Sequence, residues 1–477
     1  MTAESRLPLC IDCDGTLIRT DLLHESALLL LKRSWLSVLL LPLWLLKGKA
    51  FLKQRIAERV ELDAATLPYN EDVVALTRQA RSEGRTTVLA TASPRCQAEA
   101  VARHLDVFDQ VVATEGEVNL SGRRKAARLE QMFGRGGFVY AGNGPTDLPV
   151  WAASGGAIVV SSSRALQRAA ALAATVVQTI SLPRPSLKII AKAVRLHQWA
   201  KNLLVFIPLL AAHQTSDGAA VMAALLAFLA FGLCASAVYV INDLLDLPAD
   251  RVHSRKRNRP FACGAMSIAQ GVGMVPLLLA GAVTICTQLP LAFAGTLLAY
   301  FAITCLYSVW LKNQVVVDVM LLASLYTSRI IAGAAATAIV PSFWLLAFSM
   351  FMFLSLAIVK RYSEMLVVRE QHKDKAAGRG YLVSDMPVLL SQGTAAGYIA
   401  ILVMALYVNS ADVGGLYPNR WALWMVLPPL LYWITRVWMK SHRGEMHDDP
   451  VVFAATDKQS WLLAAWIAAA LWLATVH

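Results

Sequence analysis

The stretch Asn242-Asp243-Leu244-Leu245-Asp246-Leu247-Pro248-Ala249-Asp250 follows directly on the apolar run Val221 to Ile241, and its reading decides the fold. On a helix, the i, i+3, i+7 spacing of Asp243, Asp246 and Asp250 gathers three carboxylates on one face within roughly 60° of arc. An ionisable side chain at the centre of a bilayer costs about 2.5 kcal/mol or more, so a cluster of them at membrane depth marks function. Such a face calls for a cation. Hard oxygen ligands favour magnesium, which usually binds through one or two carboxylates together with substrate phosphates. The expected substrate therefore carries a diphosphate.

Working outward, 477 residues with 57% hydrophobic content are too apolar for one soluble globule and sufficient for two domains. Residues 1–180 are mixed and charged, whereas from Leu203 onward apolar runs approach the roughly 20 residues that span a bilayer. Nine spans are expected, at 201–213, 218–242, 268–288, 291–310, 314–337, 342–361, 392–409, 421–439 and 459–476. Loops after the even-numbered spans are basic, with Arg251, Arg255, Lys256, Arg257 and Arg259, then Lys312, then Lys360, Arg361, Arg369, Lys373, Lys375 and Arg379, then Lys440 and Arg443. The opposite loops, 287–290 and 338–342, carry no Lys or Arg. This asymmetry predicts an integral protein of a cell inner membrane, with the N-terminal domain and the aspartates in the cytoplasm and the C-terminus outside. It also accounts for the net charge of +12 without a nucleic-acid partner.

The N-terminal part reads as a parallel α/β sheet. Short apolar runs at 7–11, 86–90, 138–141 and 157–160 alternate with helical patterns, and the first three end in polar or glycine-rich turns, which puts a site at the strand C-termini. Residues 22–80 form a helical insertion after the first strand. Within it Ala27 to Leu46 is very apolar but interrupted by Lys32 and Arg33; an interfacial or cap helix fits better than a span. Pro183, Arg184 and Pro185 mark a linker, so that the expected division is a domain at 1–180, a linker and interfacial helix at 181–200 and a membrane domain at 201–477. The odd count of seven cysteines implies no disulfide framework. Cys10 and Cys13 flank Asp12, but on a buried strand they point to opposite faces, which argues against a redox or metal pair. Met1 to Pro8 shows no signal-peptide pattern.

The acidic run, followed by Arg251, His253, Lys256, Arg257, Arg259 and Pro260, resembles the first signature of the UbiA prenyltransferase superfamily, over residues 185–477. Within it, Arg195-Leu-His-Gln198-Trp199-Ala-Lys201-Asn202, Tyr307-Ser308 with Lys312, Asp318, and Tyr326 with Arg329 are similar to decaprenyl-phosphate phosphoribosyltransferases. That resemblance implies an all-α nine-helix transmembrane bundle that joins the phosphoribose of phosphoribosyl diphosphate (PRPP) to a polyprenyl phosphate. The alternative is a prenyltransferase moving a polyprenyl group from its diphosphate to an aromatic or quinone-precursor acceptor. Aromatic prenyltransferases typically show a second acid pair, D-x-x-x-D, but here Leu322 stands four residues after Asp318. Asp243 and Asp246, with Asp250, would hold magnesium against the leaving diphosphate. Lys201, Lys312, Arg329 and Arg361 are candidates to hold the acceptor phosphate, and Asn202, Asn242 and Tyr307 to bind substrate. For each basic residue the alternative is an ordinary juxtamembrane charge. His197 and His253 read as interfacial polar residues.

Asp12-Cys-Asp14-Gly15-Thr16, Thr91, Lys125 and Gly142-Asn143-Gly144-Pro-Thr-Asp147 resemble the four ordered motifs of the haloacid dehalogenase (HAD) superfamily, over residues 5–165. The resemblance implies a Rossmann-like α/β domain with a helical cap at about 22–80, in which Asp12 is the nucleophile of a phosphatase and Asp14 its general acid/base. Thr91 and Lys125 would bind phosphoryl oxygens, and magnesium would sit on Asp12, the Asp14 carbonyl and the fourth motif, Asn143 and Asp147. Asn143 departs from the family, whose first acid in that motif is an aspartate, and both an active phosphatase and a regulatory domain with a decayed site remain open. Together the two resemblances imply a transferase whose product keeps a 5-phosphate, fused to the enzyme that removes it.

Overall fold

The computed structural model describes residues 7–475 apart from 117, 184, 376–378, 412, 414–416, 447 and 448. Arg184 of the expected linker and position 476 of the ninth expected span lie outside the described residues. The chain forms two compact units, Met1–Val194 with Tyr239–Val275, and Arg195–Val238 with Pro276–His477.

In the first unit six strands, β1 (Leu9–Ile11), β2 (Thr87–Pro94), β3 (Gln110–Thr114), β4 (Val139–Gly142), β5 (Gly156–Val160) and β6 (Val176–Ile180), form one parallel sheet in the order β3-β2-β1-β4-β5-β6. Its helices are α1 (Leu22–Arg33), α2 (Leu41–Leu46), α3 (Lys49–Ala57), α4 (Glu71–Ser82), α5 (Arg95–Leu105), α6 (Arg123–Phe133), α7 (Leu148–Ala153), α8 (Arg164–Ala173) and α9 (Leu187–Ala193). Strand alternation builds two cores. Leu9, Ile11, Leu89, Val139 and Ile158 pack under α4 and α5, whereas Val88, Ala90, Tyr140, Ala157 and Val159 pack under α6, α7 and α8. Cys10 belongs to the second face and Cys13 to the first, and burial pushes the Cys10 thiol up to about 12. The edge strands β3 and β6 are absent from the sequence reading because each keeps exposed polar positions, Gln110 in one and Gln178 and Thr179 in the other. Residues 27–46 are not one helix: α1 ends at Arg33, a 3₁₀ helix follows at Trp35–Leu40, and α2 is a separate short piece.

The remaining helices are α10 (Ile207–Ala211), α11 (Gly218–Leu245), α12 (Leu247–Val252), α13 (Ile268–Cys286), α14 (Leu291–Val309), α15 (Val317–Thr337), α16 (Phe343–Glu370), α17 (Met386–Val408), α18 (Arg420–Leu423), α19 (Leu427–His442), α20 (Pro450–Thr456) and α21 (Lys458–Thr475). Among the described residues six helices are long and apolar enough to cross a membrane: Gly218–Leu245, Ile268–Cys286, Leu291–Ser308, Val317–Thr337, Phe343–Glu370 and Val383–Val408. These fall on six of the nine expected spans. The other three are shorter or less apolar. Residues 201–213 are a 3₁₀ helix, Leu196–Phe206, running into the five residues of α10. Residues 421–439 break at the 3₁₀ turn Trp424–Val426, ahead of Pro428 and Pro429, which lack the N–H groups a continuous helix needs. Helix α21 opens on the polar Lys458, Gln459 and Ser460. The core of the second unit lies among α15, α16, α17 and α19, around Tyr326, Phe353, Leu356, Tyr362, Ile401 and Trp438.

Candidate functional site

In the first unit the strands β2, β1 and β4 are neighbours, so their C-terminal ends bring Thr91, Asp12 and Asn143 onto one edge. The Asp12 N–H donates to the Ala141 carbonyl at 2.9 Å, fixing the loop that follows β1. Its carboxylate accepts from Lys125 at 2.7 Å, and Lys125 also donates to the Tyr140 hydroxyl at 2.8 Å. Asp14 accepts from the N–H of Leu22 at 2.8 Å and from the Ser93 hydroxyl at 2.7 Å. Thr91 accepts from the N–H of Ser93 at 3.0 Å. Gly15 sits at φ +73°, a conformation that favours glycine, and a Cβ there would collide with the Asn143 amide. Asp147 closes the fourth motif: it accepts from Tyr140 on one oxygen, at 2.9 Å, and from the N–H groups of Asn143 and Gly144 on the other, both at 3.0 Å. It therefore holds the loop.

Burial pushes the Asp12 carboxyl up to about 7, with Lys125 opposing the rise and Asp147 and Asp14 adding to it. Burial raises Asp14 as well, with Asp21 adding to it. Asp147 and Asp14 thus both act on buried Asp12 while Lys125 is hydrogen-bonded to it, an excess of negative charge that a divalent cation would offset. Asp12, the Asp14 carbonyl and the Asn143 amide oxygen are hard oxygen donors suited to magnesium. Among the described residues no three His, Cys, Asp or Glu side chains converge on a metal position; Asn143 supplies an amide in place of a carboxylate, and Asp147 is engaged by its own loop.

The acidic run lies in the same unit. Helix α11 stops at Leu245 because Pro248 cannot donate the next helical hydrogen bond, and α12 resumes at once. The bonds from Asp246 N–H to Asn242 and from Asp250 N–H to Asp246, both 2.9 Å, carry the winding across the break. Asp243 and Asp250 consequently stay on one face. A single Arg259 nitrogen donates to both, at 3.1 and 2.5 Å, so a cation already stands between two buried carboxylates where the sequence expects a metal. Asp246 is turned elsewhere, toward Lys32 at 3.3 Å. Arg251 makes a two-pronged pair with buried Glu25 of α1, at 2.6 and 3.1 Å, and Glu25 also accepts from Thr20 at 2.7 Å. Gly264, at φ +71°, lets the following loop pass against Arg19, which a Cβ would strike. His253 accepts from the N–H groups of Arg255 and Lys256 at 3.2 and 3.4 Å, a turn-capping role.

In the second unit two polar clusters adjoin through the consecutive residues Lys360 and Arg361 of α16. Asp449, the N-cap of α20, accepts from Lys201 at 2.7 Å, Lys360 at 3.2 Å and Tyr326 at 2.9 Å. Asp318 is fully buried; it pairs with Arg361, accepts from Tyr307 at 2.7 Å and from Arg379 at 3.4 Å. Tyr307 in turn accepts from Arg361 at 2.9 Å and Arg379 at 3.0 Å, and Arg361 also pairs with Glu364. Arg329 is buried beside Asn202, donating to it at 3.0 Å, and its guanidinium lies 5.3 Å from the Tyr300 ring. Lys312 offers its backbone carbonyl to Arg379 at 3.3 Å. Sequence reasoning assigned no role to Asp449, Glu364, Tyr140 or Ser93, and read Arg379 only as a loop charge of the membrane topology. Asp449 before Pro450 is a helix-start pattern that could have pointed to one of them; the others depend on tertiary contacts.

A model of the UbiA prenyltransferase family matches residues 203–456, and one of haloacid dehalogenase-like hydrolase matches residues 9–151. An uncharacterized protein, y4nM, of Sinorhizobium fredii is 39% identical over 99% of this chain and 92% of its own length. Nodulation protein NoeC of Azorhizobium caulinodans is 36% identical over 56% of this chain and 87% of its own. A decaprenyl-phosphate phosphoribosyltransferase of Mycolicibacterium smegmatis is 36% identical over 39% of this chain and 60% of its own. The acidic face at the end of α11 and the Asp12 loop after β1 thus fall inside two matched families, and the chain belongs to the UbiA prenyltransferase family, with a haloacid dehalogenase-like domain at its N-terminal end.

Proposed function

We propose that this enzyme moves the 5-phosphoribosyl group of PRPP onto a polyprenyl phosphate in its membrane part, and removes the 5-phosphate from the product in its N-terminal domain. The lack of a second acid four residues after Asp318 carries the first half. A prenyl diphosphate enzyme of the aromatic branch uses a second acid pair, but Asp318 is taken up by Arg361, Arg379 and Tyr307, and position 322 is leucine. Cations so placed suit a phosphate-bearing acceptor better than a neutral ring. The partial likeness to decaprenyl-phosphate phosphoribosyltransferases supports the same choice.

In this reading the acidic run takes the donor. Asp243 and Asp250 would hold magnesium, with Asp246 joining them only by leaving its ion pair with Lys32 and with Asn242 toward the substrate, and the ion would supply charge neutralisation for the leaving diphosphate. Arg259 moves off the acids as the donor binds and then faces its phosphates. Lys201, Lys360 and Arg361 orient the acceptor, whose phosphate oxygen attacks the anomeric carbon as the C–O bond to the diphosphate breaks. A phosphate monoester is already ionised near neutrality, so no base is required. In the N-terminal site Asp12 attacks the 5-phosphate, Asp14 protonates the departing ribose oxygen and later takes a proton from water, and Lys125 and Thr91 hold the phosphoryl oxygens. Asp12, the Asp14 carbonyl and Asn143 would hold the metal that screens those oxygens. The N-terminal domain lies in the cytoplasm in this account, the side on which PRPP is available to an inner-membrane enzyme.

The test offers purified enzyme labelled PRPP with a short polyprenyl phosphate and, separately, labelled prenyl diphosphate with an aromatic acceptor. Lipid label from PRPP that disappears in Asp243→Ala is the expected result. Transfer from prenyl diphosphate instead would contradict the assignment.

A further inference from the structure

We propose that residues 35–46 dock the N-terminal domain on an anionic bilayer surface, with leucines entering the acyl boundary and a rim of lysine and arginine meeting lipid phosphates. Beyond α1 the chain turns its leucines outward: Leu39, Leu43 and Leu46 are 66, 57 and 84% exposed, and Leu36, Leu40 and Leu45 are exposed beside them. Leucines scattered singly on a surface are ordinary, but six exposed ones within eleven residues concentrate apolar surface on one segment, the composition of an interaction site. The segment is not loosely folded. Leu30, Trp44, Ile56 and Val60 form a small core of their own beneath it.

The charge around the patch is one-sided. Residues 32–59 hold seven Lys or Arg against a single acid, Glu58. Lys47, Arg55 and Arg59 border a groove of about 630 Å³ over Trp44 and Phe51, with Arg59 4.6 Å from the Trp44 ring and Arg55 5.1 Å from the Phe51 ring. An apolar body with a basic rim is the composition of a segment lying in a lipid headgroup region.

Position selects the bilayer over other partners. Lys32 lies 3.3 Å from Asp246, the first residue after the apolar helix Gly218–Leu245. The leucine patch therefore begins, at Leu36, four residues from a group held at the end of a membrane span. Helix α1 leads back from that point to Leu22, whose N–H holds Asp14, over ten residues or about 15 Å. Docking would keep the Asp12 site about one short helix from the lipid surface. That consequence serves a lipid-borne phosphate substrate if the reaction above is right, but the docking itself does not depend on which group is transferred.

The experiment places a photo-crosslinking residue in the full-length protein, Leu43→p-benzoylphenylalanine, with Leu172→p-benzoylphenylalanine on α8, the more exposed of the two positions, as the control. The protein is reconstituted in nanodiscs of phosphatidylcholine, alone or mixed with phosphatidylglycerol. Lipid adducts several-fold more abundant at 43 than at 172, increasing with phosphatidylglycerol and falling in Leu39→Asp/Leu46→Asp, are the expected result. Equal yields at the two positions, adducts to a second copy of the protein rather than to lipid, or indifference to phosphatidylglycerol would each overturn the proposal.

Discussion

Asp449 shows how a residue outside any motif can gather a buried polar cluster. Burial works to raise its carboxyl, but Lys360 and Lys201 outweigh burial and hold it well below the usual carboxylate range. A depressed folded value means that its stabilisation is complete above the unfolded value of about 4 and is lost only as pH falls through the folded value. Removing one partner of a buried pair costs about 3 to 5 kcal/mol. Asp449→Asn keeps an acceptor for Tyr326, so the lower figure applies, and the gap in thermal midpoint from the wild type should stay flat between about pH 5 and 8 and close only in strong acid. A gap that changes through neutrality would show that another group sets it. Asn143 makes the opposite case: Asn143→Asp restores a carboxylate beside Asp12, and magnesium affinity read from the metal dependence of phosphate release should tighten roughly tenfold. These residues also mark where sequence stops being informative. Asp12, Asp14, Lys125 and Asn143 could be read because each motif is local and ordered, whereas the partnership of Asp449 with Lys201 spans 248 positions.

At the scale of elements, α1 matters more than its length suggests. Its N-cap Asp21 accepts from Leu23 and His24, its first N–H holds Asp14, and its Glu25 and Lys32 reach Arg251 and Asp246. Glu25→Gln removes a charge from a buried two-pronged pair and should cost about 3 kcal/mol, with amide exchange rising in both α1 and residues 246–263. Exchange that rises in α1 alone would show the two segments to be independent. The central strands of the sheet were legible because buried parallel strands read as unbroken apolar runs. The edge strands were not, since half of each faces water. Long apolar helices were legible for the same reason as the inner strands. The membrane count was less so, because hydropathy does not register how Pro428 and Pro429 divide one apparent span.

For the molecule as a whole, a UbiA-family domain and a haloacid dehalogenase-like domain share one chain, and under the proposed reactions the covalent link would raise the effective concentration of the intermediate that passes between them. The measurement that bears most directly on this account follows one atom. PRPP labelled at its 5-phosphate is given to purified enzyme with a polyprenyl phosphate and magnesium. Wild type should release the label as inorganic phosphate and leave an unlabelled ribosyl lipid, Asp12→Asn should retain the label on the lipid, and Asp243→Ala should give neither product. Lipid that never carries the label in Asp12→Asn would contradict the account.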